Sequence, residues 1–320
     1  RLRDAAPAGW EVCIISADTV SDGDGGAAPH DEVLAAVASA EAYVGFGLSR
    51  DLFLAAPGLR WVHSAAAGVR SLLFPEMRAS TVILTNSAGV HAEPMAETVL
   101  GGVLYLLRGL DLARARQRER RWDRAAFVGA ETPMREVRDC RALIIGAGGI
   151  GSAIARRLTA LGAACVGVRR HPERGVPHGF ARVVGPDAWE ALLPESDLLI
   201  LSAPATAETQ ALVGRAALER LPGRAIVVNV ARGSLLDETA LAELIAAGRL
   251  RGAVLDVFET EPLPAESPLW GLSSVVITPH VSAVSPRGFW ERELELIIDN
   301  WHRYVGGAPM RNVVDKEAGY

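Results

Sequence analysis

The sequence predicts an α/β protein built on two doubly wound parallel sheets, and three observations carry that expectation. Short apolar runs rich in Val, Ile and Leu recur along the chain, separated by stretches with helical periodicity. That alternation places helices on both faces of a parallel sheet. One run, Leu143-Ile144-Ile145, leads into the glycine-rich turn Gly146-Ala147-Gly148-Gly149-Ile150-Gly151 and then into a helical pattern over 152–161. Five further strand-like runs follow that turn, at 165–169, 198–202, 226–230, 253–257 and 275–278, enough for one large sheet.

Taken in order, residues 11–16 read as a buried strand, followed by a Gly/Asp/Pro loop over 21–29. Asp31 opens a helix whose apolar positions include Val33, Leu34 and Val37. Strands are expected at 43–46, 60–64 and 82–86, and this first unit ends near Val90. A long helix over 93–120 follows, with Pro94 tolerated in its first turn. The basic tail of that helix, from Arg114 to Arg121, reads as a solvated face. The second unit starts at Arg141 with a strand over 142–146. After His280 a helix over 287–305 is expected to return to the first unit. The domain assignment is therefore 1–92 plus 284–320, discontinuous, and 93–283.

Composition narrows the function classes. Of 320 residues, 49% are hydrophobic and 22% charged, which is ordinary for a globular chain and argues against disorder. A net charge of −5 argues against general affinity for nucleic acid or anionic membrane. Cys13, Cys140 and Cys165 are far apart with no metal or redox spacing, so free thiols in a reducing cytoplasm are expected, and no metal. The apolar run at 12–17 is too short for a secretory signal. The run at 98–107 falls well below the ~20 residues that span a bilayer.

Each glycine of the turn has a physical task between strand and helix. Gly146 permits the tight turn, Gly148 lets the backbone approach a pyrophosphate, and Gly151 allows close helix–strand packing. The helix that follows presents free N–H groups to the anion. The end of the next strand distinguishes the dinucleotides, because an NAD site carries Asp or Glu there to hold the ribose hydroxyls. Here that position is Arg169, beside Arg170, and no acid is present. A guanidinium forks onto a 2′-phosphate that a carboxylate would repel. NADP(H) is therefore the preferred cofactor, with NAD(H) possible.

Three strand ends carry the candidate chemistry: Val230-Ala231-Arg232-Gly233, Thr260-Glu261-Pro262 and Thr278-Pro279-His280. In a doubly wound sheet, ligands sit beyond the carboxyl ends of the strands, so all three fall on the same edge as the glycine turn. Reducing a 2-oxo acid requires an anchor for the carboxylate, hydride delivery to the carbonyl carbon and a proton for the oxygen. Arg232 suits the first task and can polarise the carbonyl. His280 is the natural acid, and the base in the reverse direction. Glu261 beside it favours the imidazolium and fixes the ring's tautomer.

These motifs resemble the D-2-hydroxyacid dehydrogenase family, the D-isomer-specific NAD(P)-dependent oxidoreductases. The resemblance runs from about Tyr43 to the end of the chain. It is strongest in the glycine turn, Asn229-Val-Ala-Arg232-Gly-Ser-Leu-Leu-Asp237, Leu255-Asp256-Val-Phe-Glu-Thr-Glu261-Pro and Thr278-Pro-His280. It implies a Rossmann cofactor domain, a smaller flavodoxin-like substrate domain and a cleft between them. It also implies closure about hinges near 90–95 and 281–286, and a homodimer through the cofactor domain using 93–120 and the loop 121–133. Arg232, Glu261 and His280 match the family's catalytic residues, and Asp256 the position that holds the nicotinamide carboxamide. Further cofactor contacts implied are Gly149, Ile150, Arg170, Ala203, Pro204, Thr209, Val230, Ala231 and His280 itself. Ala67-Gly68-Val69 resembles the loop whose amides bind the substrate carboxylate, and Asn86-Ser-Ala-Gly-Val-His-Ala-Glu-Pro-Met-Ala-Glu97 the hinge segment.

Two departures stand out. Arg70 replaces a more usual acid and reads as a surface residue, while Arg169-Arg170 resembles the NADPH-dependent glyoxylate/hydroxypyruvate reductase branch. No regulatory segment follows Tyr320, which makes the longer type of phosphoglycerate dehydrogenase the weaker expectation. The reading is an NADP(H)-preferring reductase of small 2-oxo acids. Its rivals are a relative acting on a bulkier 2-oxo acid, 3-phosphoglycerate or phosphite, and a non-catalytic nucleotide-sensing corepressor-like protein.

Overall fold

The computed structural model describes residues 1–15, 31–129 and 132–319. These divide into two compact units: Arg1–His91 with Ser285–Tyr320, and Ala92–Val284.

Three parallel strands form the sheet of the first unit: β1 (Ala42–Gly45), β2 (Trp61–Ser64) and β3 (Ile83–Asn86), in that spatial order. Short helices α1 (Asp31–Val37), α2 (Arg50–Leu54) and α3 (Pro75–Ala79) accompany them. Val37, Leu52, Val62, Leu72, Met77 and Leu84 make their shared core. Residues 11–15 were expected to form a strand and do not: Cys13 is exposed and Ile14 is 56% exposed, so the apolar run is not paired or buried. Ser16 and the expected loop at 21–29 lie outside the described residues.

The last helix of the chain belongs to this unit and buries Leu296, Ile297 and Trp301. Two of its buried polar residues fix its position. Glu293 accepts from His63 Nε2 at 3.0 Å and from the Ser87 hydroxyl at 2.8 Å. Asn300 exchanges a pair of hydrogen bonds with the main chain of Arg311.

The second unit opens with α4 (Ala92–Leu107) and α5 (Leu110–Arg118), where one helix over 93–120 was expected. The break has a local cause. Gly109 adopts φ 62°, a left-handed conformation that ends one helix and caps the next. Next comes α6 (Ala125–Val128), and residues 130 and 131 of the expected 121–133 contact loop are outside the description.

Seven parallel strands follow: β4 (Arg141–Ile145), β5 (Ala164–Val168), β6 (Arg182–Val184), β7 (Leu198–Leu201), β8 (Ile226–Asn229), β9 (Gly252–Leu255) and β10 (Val275–Ile277). Helices α7 (Gly149–Ala160), α8 (Arg215–Glu219) and α9 (Glu238–Ala246) connect them, and α10 (Gly288–Val305) is the helix of the first unit described above. The spatial order is β10-β9-β8-β7-β4-β5-β6, with the direction of winding reversing between β4 and β7. That reversal is where a doubly wound sheet offers its crevice.

Both faces of this sheet are covered, so alternate residues of one strand enter different cores. Leu143, Leu199, Val227 and Leu255 pack on the side of α8 and α9. Ile144, Ile200, Val228 and Val254 pack on the side of α4 and α7. This accounts for runs that are apolar throughout rather than alternating. Each such side chain, fully withdrawn from water, contributes roughly 1.5–3 kcal/mol. Gly102 on α4 permits a close approach of helix to sheet, since a Cβ there would lie 2.6 Å from a methyl of Val254.

At the amino edge Asp197 is clamped by Arg135 at 2.7 Å, Arg224 at 2.6 Å and the Arg141 amide at 2.8 Å. Cys140 and Cys165 are buried, and burial pushes the Cys140 thiol up to about 11.

Candidate active site

Because β4, β7, β8, β9 and β10 are parallel neighbours, the loops that follow them emerge along one edge of the second unit. The glycine turn leaves β4 there. Gly146 has φ 106°, and a Cβ on it would lie 2.7 Å from the Ala203 amide nitrogen. At Gly151 a Cβ would lie 2.0 Å from the Gly146 carbonyl oxygen, so nothing larger than hydrogen fits. Gly148 is different: a Cβ would meet nothing within 4 Å, and the residue stands at the N-terminus of α7. Open space above a bare backbone, in front of free N–H groups, is what a pyrophosphate requires. These residues therefore fit a dinucleotide. Ser202 holds the turn by donating to the Gly146 carbonyl at 2.9 Å.

Arg169 and Arg170 follow β5. The Arg169 amide donates to Val184 at 3.1 Å, and its guanidinium reaches the Gly175 carbonyl at 3.5 Å. Arg170 forms an ion pair with Glu208, in the loop after β7. Arg170 is thus held by a carboxylate, while the Arg169 guanidinium reaches a main-chain carbonyl. Beyond β7, Ala203 and Pro204 lead into a turn closed by Thr209. The Thr209 hydroxyl donates to the Pro204 carbonyl at 2.7 Å and accepts from the Thr206 amide at 2.8 Å.

Arg232 follows β8, after the buried Val230 and Ala231. Asn229 shapes this turn: its side-chain carbonyl accepts from the Ala231 amide at 3.0 Å, and its amide donates to the Arg232 carbonyl at 2.9 Å. The Arg232 guanidinium donates to the Ala231 carbonyl at 2.7 Å. Gly233 then packs on the loop after β9, where a Cβ would lie 1.9 Å from the Phe258 carbonyl carbon. This close approach draws the Arg232 turn against the segment that carries Glu261.

Glu261 and His280 are joined directly, with His280 Nδ1 2.8 Å from Glu261 Oε2. The other carboxylate oxygen accepts from the Phe258 amide at 2.9 Å, which fixes the carboxyl plane. Below them lies Asp256, fully buried. It accepts from the Thr278 hydroxyl at 2.6 Å and from the amides of Val281 and Ser282, each at 2.9 Å, while its own carbonyl accepts from the His280 amide at 2.8 Å. This network holds His280 at φ 53°, an unusual backbone for a residue with a side chain. Nearby, Glu238 accepts from the Glu259 amide at 2.6 Å. Burial pushes its carboxyl up, and the charges of Glu259 and Glu261 push it further, against that hydrogen bond.

Ala67, Gly68 and Val69 belong to the first unit, in the turn after β2. Asn86 donates to the Ala67 carbonyl at 2.8 Å, and the Ser87 amide donates to the Ala66 carbonyl at 3.3 Å. Sequence reasoning missed two residues that shape the site, Asn229 and Ser202. Their signal is a polar side chain ending an otherwise apolar strand, in Ile-Val-Val-Asn and Leu-Leu-Ile-Leu-Ser.

Among the described residues no helix is long and apolar enough to cross a membrane. Residues 100–282, more than half of the 320, match the description "D-isomer specific 2-hydroxyacid dehydrogenase, NAD binding domain". The chain is 34% identical over 258 residues to a D-3-phosphoglycerate dehydrogenase of Mycobacterium tuberculosis, covering 79% of this chain and 47% of that protein. It thus spans about half the length of the first curated relatives it matches. With a glyoxylate/hydroxypyruvate reductase B of Pectobacterium atrosepticum it shares 32% identity over 286 residues, 88% of each chain. A D-isomer specific 2-hydroxyacid dehydrogenase from Xanthobacter autotrophicus Py2, solved with NADPH and MES, superposes with a TM-score of 0.80 at 30% identity. That match covers 100% of this chain and 94% of the other. The chain belongs to the D-isomer specific 2-hydroxyacid dehydrogenase family.

Proposed function

We propose that this protein is an NADP(H)-preferring reductase that converts 2-oxo acids, glyoxylate and hydroxypyruvate among them, to D-2-hydroxy acids. The observation that carries the reading is the Glu261–His280 pair, 2.8 Å apart, on the sheet edge that also bears the glycine turn and Arg232. Gly146, Gly148, Gly149, Ile150 and Gly151 hold the pyrophosphate, and Arg169 takes the 2′-phosphate, with Arg170 shared between it and Glu208. The bound nicotinamide supplies the hydride.

The protein groups supply the rest. Arg232 holds the substrate carboxylate and polarises the carbonyl. His280 gives its Nε2 proton to the carbonyl oxygen, and withdraws it in the reverse direction. With Glu261 accepting at Nδ1, that nitrogen keeps its hydrogen, so Nε2 is the atom that exchanges protons with substrate. In the first unit, which is read as the substrate domain, Ala67, Gly68 and Val69 are the residues proposed to bind substrate, through their main-chain N–H groups. The buried Asp256 serves the nicotinamide end chiefly by holding the His280 loop.

The supports for NADP(H) are Arg169 and the NADPH bound to the Xanthobacter relative. A homodimer through the cofactor domain, using 93–120 and 121–133, and a place in the cytoplasm complete the proposal. Its test is a steady-state assay of NADPH against NADH over a panel of 2-oxo acids. Turnover favouring NADPH is expected, and no turnover with any of them would overturn the reading.

A further inference from the structure

Two carboxylates hold consecutive main-chain amides of the loop after β9. Glu261 accepts from the Phe258 amide at 2.9 Å, and Glu238 accepts from the next one, Glu259, at 2.6 Å. The first of these carboxylates meets His280 directly. The second comes from a different part of the chain, 21 residues before Glu259.

The place of Glu238 is itself fixed. It is the first residue of α9, which Asp237 caps by accepting from the Ala240 amide at 2.9 Å. The chain that leads there from Arg232 is laid along residues 211–213. The Ala211 amide donates to the Ser234 carbonyl at 2.8 Å, the Val213 amide to Leu235 at 2.9 Å, and the Asp237 amide to Val213 at 3.0 Å. Leu235 and Leu236 are buried in the same stretch. Gly233 brings the two segments together, since a Cβ there would lie 2.1 Å from the Glu259 amide nitrogen. The amide that Glu238 accepts therefore stands against the residue that follows Arg232. A carboxyl in this position is costly: burial pushes it up, the charges of Glu259 and Glu261 add to that, and the Glu259 amide opposes them.

We propose that Glu238 is a positioning residue of the reductase, tying the loop that carries Glu261 to the segment that carries Arg232. Through that tie the Glu261 carboxylate is kept at His280 Nδ1. The inference rests on the reductase reading above and adds a residue that acts through Glu261 rather than on the substrate. Without Glu238 the Glu259 amide turns to water, and the loop keeps one of its two carboxylate ties. Glu261 then meets the ring in only part of the population. The neutral imidazole becomes a mixture of tautomers, and the acid is misaimed.

The test compares Glu238→Ala with Glu238→Gln, whose amide oxygen can still accept from the Glu259 amide. Glyoxylate reduction with NADPH is measured beside NADPH affinity. The ring-nitrogen shifts of His280, assigned by their loss in His280→Ala, report which nitrogen holds the hydrogen when the ring is neutral. Glu238→Ala should lower kcat about tenfold, with NADPH affinity and melting temperature near the wild type. Its ring shifts should move from the Nδ1–H form toward the mixture. Glu238→Gln should recover most of the rate and the shifts. Wild-type kcat and unmoved shifts in Glu238→Ala overturn the tie and leave the reductase reading standing. A glutamine variant as impaired as the alanine one overturns it too, as does a parallel loss of NADPH affinity and melting temperature in Glu238→Ala. Absence of turnover in the wild type overturns the reductase reading and the role of Glu238 with it. The ring shifts, which need no turnover, tell that failure from a failure of the tie alone.

Discussion

Glu261 binds His280 with one carboxylate oxygen and the Phe258 amide with the other, at 2.8 and 2.9 Å. The imidazole is therefore aimed by a group that is itself immobilised. Glu261→Gln preserves the shape but replaces the carboxylate that accepts at His280 Nδ1 with a neutral amide. Turnover with glyoxylate should fall roughly 10- to 100-fold, a part of the 10²–10⁴ that a positioned acid contributes. NADPH affinity, read by fluorescence titration, should stay near the wild-type value. Equal losses in both quantities would point to a collapsed edge rather than a misaimed acid.

The glycine turn makes a prediction in which two similar substitutions part company. Gly148→Ala places a methyl in open space, so its melting temperature should stay within about 2 °C of the wild type. Its Kd for NADPH should nevertheless rise, because the methyl stands where the pyrophosphate approaches. Gly151→Ala drives a methyl to 2.0 Å from the Gly146 carbonyl and should lose both stability and cofactor binding. Melting curves paired with cofactor titration distinguish the two.

In the proposed reading cofactor choice turns mainly on Arg169, because Arg170 is also paired with Glu208. Arg169→Asp should raise KM for NADPH by tenfold or more and lower it for NADH, because the new carboxylate repels a 2′-phosphate and accepts from ribose hydroxyls. An unchanged NADPH-to-NADH ratio of kcat/KM would remove the phosphate contact from the account.

Stability against pH is governed in part from the opposite edge. Burial pushes the Asp197 carboxyl up, but Arg135, the Arg141 amide and Arg224 outweigh it and hold the group below the ordinary carboxylate range. A carboxyl depressed in the folded state contributes stability above its unfolded value, ~3.9, and loses it as pH falls through the folded value. Asp197→Asn should therefore cost about 3 kcal/mol at neutral pH. The gap in melting temperature between variant and wild type should be constant from pH 8 to about 5 and narrow below about 4.

The large sheet was legible in the sequence because burial on both faces demands unbroken apolar runs, and β4, β7, β8 and β9 supply them. Edge strand β6 was missed. It is three residues long, begins with Arg182 and follows a segment rich in Gly and Pro, so propensity alone gives no signal. The break between α4 and α5 turns on the φ of one residue, Gly109, which periodicity does not register. Residues 11–15 show the opposite error: a β-prone run without a partner strand stays unpaired.

Within the proposed site, residue type and spacing point to Arg232, Glu261 and His280, but what aims them was not readable. Asn229 and the buried carboxylate of Asp256 act through hydrogen bonds to main-chain atoms, and Ser202 holds the glycine turn in the same way from 56 residues further along the chain. A strand pattern carries no record of those partners.

The most direct test removes the imidazole. His280→Ala should bind NADPH with near wild-type affinity and melt normally, since the side chain is about half exposed. Its reduction of glyoxylate at neutral pH should be slower by about 10²–10⁴. Near-normal turnover in this variant would contradict His280 as the acid and, with it, the role assigned to the Glu261 pair.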